Sequence, residues 1–439
     1  MGLVYRSVVP HPVNDVFNWY SRPGALARLA PPWLGLRVVE EPSSLRNGRA
    51  MYVLLGGKHL VSRYQPGGYE APHYFVNEMA RWRHTHVLAE GEEGTVVEDR
   101  VETPLPASVL LQSFAYRHRQ LGDDLASHAR PGPADRTPMT VAMTGASGLI
   151  GSALSAFLTS GGHRVIRLVR RAPRSGDERL WAPGRPSPAL LEGVDALVHL
   201  AGASIAGRFS ASHKRQIWGT RVGPTRLLAE VASRSGGNGG QLRCFVTASA
   251  IGFYGSERDD VVTERAIRGE GYLAELVEQW EAACLPAAVA GTRTVHVRTG
   301  IVQSPRGGVL GLLYPVFLAG LGGRLGTGRQ WMSWVGVDDL VDIYYRALTD
   351  SSLSGPVNAV SPAPVTNEEY SAVLARVLRR PSVFRVPSFA IDLALGREGR
   401  RELAGASQRV RPAVLEAAGH VWRHPTLEEA LRHNLGRWR

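Results

Sequence analysis

Two different patterns of apolar and polar positions divide the chain. Up to about residue 130, short apolar runs alternate with polar positions between clusters of glycine, proline and charge. They predict strands at Leu3–Val9, Leu36–Glu40, Arg49–Leu55, His59–Tyr64, Tyr74–Glu78, Trp82–Ala89 and Thr95–Glu102, with a turn over Gly91–Gly94. Helical spacing predicts two short helices, Val13–Tyr20 and Pro23–Leu29, and a closing helix, Leu110–His128. Antiparallel strands with helices before and after them make an α+β domain.

A stretch rich in proline and glycine, Ala129–Pro138, reads as a linker. Beyond it the pattern alternates: strand 139–144, helix 149–160, strand 164–169, strand 195–200, helix 211–232, strand 243–249, helix 271–289 and strand 293–298. That alternation predicts an α/β domain with a parallel, doubly wound sheet. The tail is mainly helical, and Thr366–Glu369 and Thr426–Glu429 read as capping boxes. The domain reading is therefore 1–130, a linker over 131–138, and 139–439.

Composition narrows the picture. The net charge is +12, but only Lys58 and Lys214 are lysine and the arginines are spread along the chain, so no nucleic-acid stripe is read. Two cysteines, Cys244 and Cys284, cannot build a disulfide framework and read as reduced, cytoplasmic residues. No signal peptide is read at the N-terminus, and the longest uncharged run, Val309–Gly323, is shorter than the ~20 residues of a spanning helix.

The strand at 139–144 runs into Gly145-Ala146-Ser147-Gly148-Leu149-Ile150-Gly151, which opens a helix. Glycines at such a turn allow a tight bend, close approach of backbone to a pyrophosphate, and close helix–strand packing. Amides at the helix N-terminus then bind phosphate. Gly145, Ser147, Gly148, Leu149, Ile150 and Gly151 are thus cofactor-binding candidates in a Rossmann fold. The next strand ends in Arg170-Arg171, where an NAD enzyme would carry an acidic residue. Arginine pairs with a 2′-phosphate, so the expected cofactor is NADP(H).

Later segments resemble a known family. Asp195–Ala203 resembles the fourth-strand motif of extended short-chain dehydrogenases/reductases, and Ser249–Gly255 their serine-bearing fifth strand. Gly326–Trp334 with Val337–Leu340, and Pro412 through Leu431, resemble the atypical "epimerase family" branch, sometimes given a cell-division-inhibitor label. The resemblance covers 139–439 and implies cofactor contacts at Leu200, Ala201 and Gly202; Arg298, closing the strand at 293–298, joins the cofactor-binding candidates. Residues 1–130 resemble the helix-grip superfamily (START-like, SRPBCC), on Val13–Tyr20, Trp82–His86 and Val97–Val101. That resemblance implies a cavity for an apolar ligand. His84 and His86 share one strand face but have no third metal ligand in view, so no metal site is read.

Ordinary members of the dehydrogenase family use a Tyr-x-x-x-Lys pair, whose lysine lowers the tyrosine pKa. Here residues 54 and 210, four before the two lysines, are leucine and serine, and Tyr272 has Leu276 where lysine belongs. Remaining catalytic candidates are Ser249, Tyr254, Tyr272, Lys214 and Arg221, the last standing where extended members carry asparagine. Gly336 occupies a position where the family motif tends to have histidine. The leading expectation is an NADP(H)-dependent oxidoreductase acting on a small carbonyl or hydroxyl compound. A non-catalytic NADP(H) or ligand sensor is the alternative, and a nucleotide-sugar epimerase or dehydratase the third.

Overall fold

In the computed structural model the alternating runs close into two separate seven-stranded sheets. The structure describes residues 2–54, 56–131, 137–236, 241–386 and 388–438, so the centre of the predicted linker, 132–136, and the end of the predicted strand at Leu55 lie outside the described residues. The chain divides into two compact units, one of Met1–Pro138 with Ala153–His163 and Arg432–Arg439, the other of Met139–Ser152 with Arg164–Leu431.

The first unit runs β1 (Gly2–Val9), α1 (Val13–Ser21), α2 (Ala25–Leu29), β2 (Arg37–Glu40), β3 (Arg49–Val53), β4 (His59–Glu70), β5 (Tyr74–Met79), β6 (Trp82–Gly91), β7 (Gly94–Glu102) and α3 (Ala107–Ala129). Its sheet is antiparallel in the order β1-β7-β6-β5-β4-β3-β2. Strand β4 is six residues longer than the sequence predicts. Pro66, Gly67 and Gly68 signal a break, but the pairing with β5 absorbs them through an irregularity between Tyr64 and Tyr69. The core gathers Val16, Trp19, Phe75, Leu88, Val97 and Leu121, all essentially sealed from water. Arg28 of α2 donates to both carboxylate oxygens of Asp124 in α3, at 2.8 and 2.7 Å, a buried bidentate pair.

The second unit opens with β8 (Thr140–Thr144) and the first turn of α4 (Leu149–Ser160), whose residues from Ala153 on fall in the first unit, followed by β9 (Arg164–Val169), β10 (Glu178–Leu180) and β11 (Ala196–His199). It continues with α5 (Ala211–Gly219), α6 (Val222–Ser235), β12 (Cys244–Ala250), β13 (Glu257–Val262), α7 (Tyr272–Ala282), α8 (Leu285–Val289) and β14 (Arg293–Thr299). Short strands β15 (Ile301–Gln303), β16 (Gly323–Leu325), β17 (Trp331–Met332) and β18 (Trp334–Gly336) precede β19 (Gly355–Ala359). The main sheet is parallel, β10-β9-β8-β11-β12-β14-β19. Strand order reverses between β8 and β11, which is where an open α/β sheet forms its ligand crevice. Both capping boxes are present, at Thr366 with Glu369 and at Thr426 with Glu429.

Two helices predicted as continuous are broken. The run 211–232 divides at Thr220-Arg221, where Thr220 Oγ1 accepts from the Ala203 amide and the Arg221 backbone is stretched to φ −111°, ψ −64°. The run 271–289 divides before Pro286, which cannot donate to the preceding turn. Strands β10, β13 and β15 to β19 were not predicted; β10, like β15 to β18, has at most three residues, too few for a readable period.

His199 ends β11 in full burial, its Nδ1 2.6 Å from Thr144 Oγ1. Burial, with the nearby Arg221 cation, pushes its pKa down to about 3. A histidine kept neutral in the fold contributes stability that is complete above its unfolded value of 6.5 and is lost as pH falls toward 3. We therefore expect the wild type to be more stable than His199→Asn at pH 7.5, with the gap shrinking by roughly 1–2 kcal/mol on going from pH 6.5 to 5. Urea unfolding of both proteins across that range checks it; a gap independent of pH would show that His199 is not the titrating group.

Candidate dinucleotide site

The crevice beside β8 is a cleft of about 1060 Å³. Gly145, Ser147 and Gly148 line one wall, Arg167, Arg170 and Arg171 another, and Leu200, Ala201 and Gly202 a third, with Gln216 and Thr220 from α5 and its end. The loop leaves no room for side chains. Gly145 sits at φ +69°, and a β-carbon there would stand 2.8 Å from the Leu200 carbonyl carbon. At Gly151 a β-carbon would meet the Gly145 carbonyl oxygen at 2.2 Å. Leu149, Ile150 and Gly151 lie in the first turn of α4 and do not line the cleft.

The two arginines differ. Arg171 donates to both oxygens of Glu178, at 2.8 and 2.7 Å, and that hydrogen bonding pulls the Glu178 carboxyl down to about 2. Arg170 is exposed at the same rim and has no ion-pair partner among the described residues. The donor set thus offers a glycine cradle at a helix N-terminus and an exposed guanidinium beyond it, a fit to a dinucleotide.

The remaining sequence candidates gather in two places outside the cleft lining. Ser249 ends β12 and its hydroxyl donates to Glu281 Oε1 at 2.6 Å. Arg298 was expected at the cofactor; instead it is buried, donating to both Glu281 oxygens at 2.8 and 2.7 Å and to the Tyr254 hydroxyl at 3.0 Å, with its guanidinium 3.5 Å from the Phe253 ring centre. Tyr254, fully buried, passes its own proton to Asn358 Oδ1 at 2.7 Å, so neither side of its hydroxyl is open to a substrate. Burial raises its pKa further against the lowering effect of Arg298. Glu281 organises this network and was missed in the sequence, where it reads as one polar residue on an amphipathic helix.

The second group joins residues far apart in sequence. The Tyr272 hydroxyl donates to the Lys214 carbonyl at 2.6 Å, and the Lys214 ammonium lies 5.3 Å from the Tyr272 ring centre. Lys214 Nζ in turn donates to both oxygens of Glu398 at 2.9 Å. Burial pushes the Tyr272 pKa up, opposed by Arg221. Arg221 donates to the carbonyls of Ala203, at 2.9 Å, and Ile217, at 3.2 Å, and packs on Trp280. Burial draws its pKa down to about 10. Arg221 therefore holds the loop after β11 that lines the cleft.

Residues 141–359 match the NAD dependent epimerase/dehydratase family, and residues 386–434 match a domain of unknown function. An epimerase family protein of Mycobacterium leprae is 42% identical over 296 residues, covering 67% of this chain and 94% of that protein. The chain belongs to the NAD-dependent epimerase/dehydratase family. Human epimerase family protein SDR39U1 is 32% identical over 302 residues, 67% of this chain and 99% of its own length. Its isoform 2, solved with NADPH, superposes with TM-score 0.62 at 29% identity, covering 68% of this chain and all of that one. A solved protein described as a nucleoside-diphosphate sugar epimerase, from Corynebacterium glutamicum, gives TM-score 0.87 at 39% identity over 99% of this chain and 90% of that one. The family placement makes the cofactor a nicotinamide dinucleotide. Among the described residues no helix is long and apolar enough to cross a membrane.

The unequal arginines give a test of cofactor choice. NADPH is expected to bind more tightly than NADH, and Arg170→Ala to weaken NADPH by about 1.5–3 kcal/mol, roughly tenfold or more. Arg171→Ala should do less, because Glu178 already neutralises it. Fluorescence titration of both nucleotides decides the matter; equal wild-type affinities would remove the assignment.

Proposed function

We propose that the protein is an NADP(H)-dependent oxidoreductase acting on a small carbonyl or hydroxyl compound. The observation that carries this reading is Arg170, a cation without an ion-pair partner among the described residues, at the rim of a glycine-lined cleft. Gly145, Ser147 and Gly148 would cradle the pyrophosphate, Arg170 the 2′-phosphate, and Leu200–Gly202 the adenosine side. Bound there, NADPH supplies the hydride.

The chain's own contribution to proton transfer falls to Ser249. Tyr272 and Tyr254 both donate to fixed acceptors, and burial holds both phenols protonated. Ser249 is tied to Glu281, which Arg298 fixes from the other side. In this reading the Ser249 O–H turns from Glu281 to the substrate oxygen, and Glu281, held by Arg298, is the positioning residue that keeps the serine at that edge. Arg221 and Lys214 act at a distance, the first by fixing the loop after β11, the second by seating Tyr272.

The front unit extends the proposal. Residues 1–130 are read as a helix-grip ligand-binding domain, 131–138 as a linker, and 139–439 as the extended Rossmann domain with substrate-binding segments at about 303–335 and 357–439. A cavity of about 340 Å³ in the first unit, walled by Leu29, Leu36, Tyr64, Phe75, Trp82 and Phe114, suits an apolar ligand. Both cysteines are buried and unpaired, in keeping with a cytoplasmic setting.

The test follows NADPH oxidation across quinones, aldehydes and ketones. Ser249→Ala is expected to lower turnover on the order of 10²-fold while NADPH affinity changes little. Glu281→Gln should lower kcat with a smaller effect on KM, whereas Tyr272→Phe should leave turnover within a few-fold. If NADPH binds, no compound is turned over, and an apolar ligand in the front unit shifts NADPH affinity, the protein is a sensor and Ser249 a structural residue.

A further inference from the structure

Three histidines and an aspartate meet inside the first unit, away from the dinucleotide cleft. His84 and His86 project from β6 on one face, two residues apart. Asp99 of β7 is the direct cross-strand partner of His86. His84 Nε2 lies 3.1 Å and His86 Nδ1 2.7 Å from the same oxygen, Asp99 Oδ1. All three side chains are sealed from bulk water, at 4%, 3% and 0% exposure. Two imidazole nitrogens thus crowd a single carboxylate oxygen in a sealed interior.

The carboxylate's other oxygen is treated differently. Asp99 Oδ2 pairs with His118 Nε2 at 3.1 Å, and His118 Nδ1 pairs with Ser7 Oγ at 2.6 Å. That chain fixes the plane of the carboxylate and turns Oδ1 toward His84 and His86. An outer histidine orienting a ligating carboxylate is the usual support of a metal centre.

We propose that His84, His86 and Asp99 form a binding site for a divalent transition-metal ion in the wall of the front cavity. The three donor atoms lie within 4.8 Å of one another. An ion about 2.0–2.2 Å from each asks for donor separations of about 3.3 Å, so the widest pair closes by up to about 1.5 Å. Two imidazoles with one carboxylate select zinc, iron, cobalt, nickel or copper over magnesium or calcium. His84 and His86 both line the cavity, so the remaining coordination position opens onto it, the arrangement of sites that exchange a ligand rather than of closed structural ones. Phe75 stacks on His86 at 4.1 Å and Tyr20 stands 5.5 Å from the same ring, which gives the site an aromatic wall.

The protonation states agree with this use. Burial pushes His86 down to about 3 and lowers His84, so both imidazoles are neutral and carry a free lone pair. Burial opposes charge on Asp99, and the hydrogen bond from His118 is among the contacts that outweigh it and hold its carboxyl well below the usual range. Asp99 is then the one anionic donor, with Arg117 also lining the cavity.

Tag-free full-length protein, stripped with chelator, is titrated with Zn²⁺ and separately with Co²⁺ by calorimetry. One equivalent is expected per chain, with a rise in melting temperature that chelator reverses. His84→Gln, His86→Gln and Asp99→Asn should each weaken binding on the order of 100-fold, and His118→Ala roughly 10- to 100-fold by releasing the carboxylate. The exposed His59→Gln serves as a control and should bind as the wild type does. Because a cluster variant could fail to fold, X-ray absorption of the zinc-loaded wild type is read as well, and should show two imidazoles with oxygen donors. Absence of stoichiometric binding by the wild type, full binding by both histidine variants, or a zinc shell without two imidazoles would overturn the proposal.

Discussion

Where β8 turns into α4, backbone packs against backbone with nothing between. A β-carbon on Gly145 would press into the Leu200–Ala201 peptide, and one on Gly151 would strike the Gly145 carbonyl. The helix can therefore sit low enough for its first amides to face the crevice only because both positions lack a side chain. The same closeness fixes the distance between the ends of β8 and β11, the point where strand order reverses. The cleft's three walls follow from that contact: the loop itself, the segment after β11, and the arginine-bearing end of β9. Widening this junction would separate the glycine loop from Arg170 before any polar group had changed.

A second constraint organises the interior beneath β12. Glu281 receives Ser249 on one oxygen and Arg298 on both, and Arg298 carries the arrangement on to Tyr254 and Asn358. With Arg298 and Ser249 each under 5% exposed, removing one partner leaves the others' charge or donor unsatisfied in a region of low dielectric. Such a network resists piecemeal change. It ties the orientation of the fifth-strand serine to a helix thirty residues later, so the serine's direction is a property of the assembled unit.

What could be read in the sequence was local. The glycine loop, its helix and the end of β9 lie within one βαβ unit, and periodicity with glycine placement was enough to predict these elements. Most strands of the first unit were legible for the same reason, since alternation marks a half-buried strand. Pairings across long separations were not. Asp99 was visible as part of a strand motif, but only the register of β6 on β7 sets it opposite His86 and supplies the third donor that sequence spacing lacked. Glu281 has no local signal, because a carboxylate on an amphipathic helix is ordinarily solvated. The difference between Arg170 and Arg171 depends on Glu178, which arrives on the three-residue strand β10. The buried state of Arg298 likewise comes from α7 folding over the end of β14.

The fate of the missing tyrosine–lysine pair bears on the chemistry. Helical spacing of four residues would set a lysine beside the phenol oxygen, where its charge stabilises the phenolate. Here tertiary folding brings Lys214 and Tyr272 together in another geometry. The ammonium approaches the ring face, an interaction with the π cloud that leaves the oxygen alone, and Glu398 takes up its charge. The phenol proton is meanwhile directed at the Lys214 backbone carbonyl, an acceptor that deprotonation of the tyrosine would leave facing an anion. Both effects favour the protonated phenol. The same two residue types that make a base in ordinary short-chain dehydrogenases here build a fixed contact between α5 and α7, and any proton exchanged with a substrate has to travel by another group.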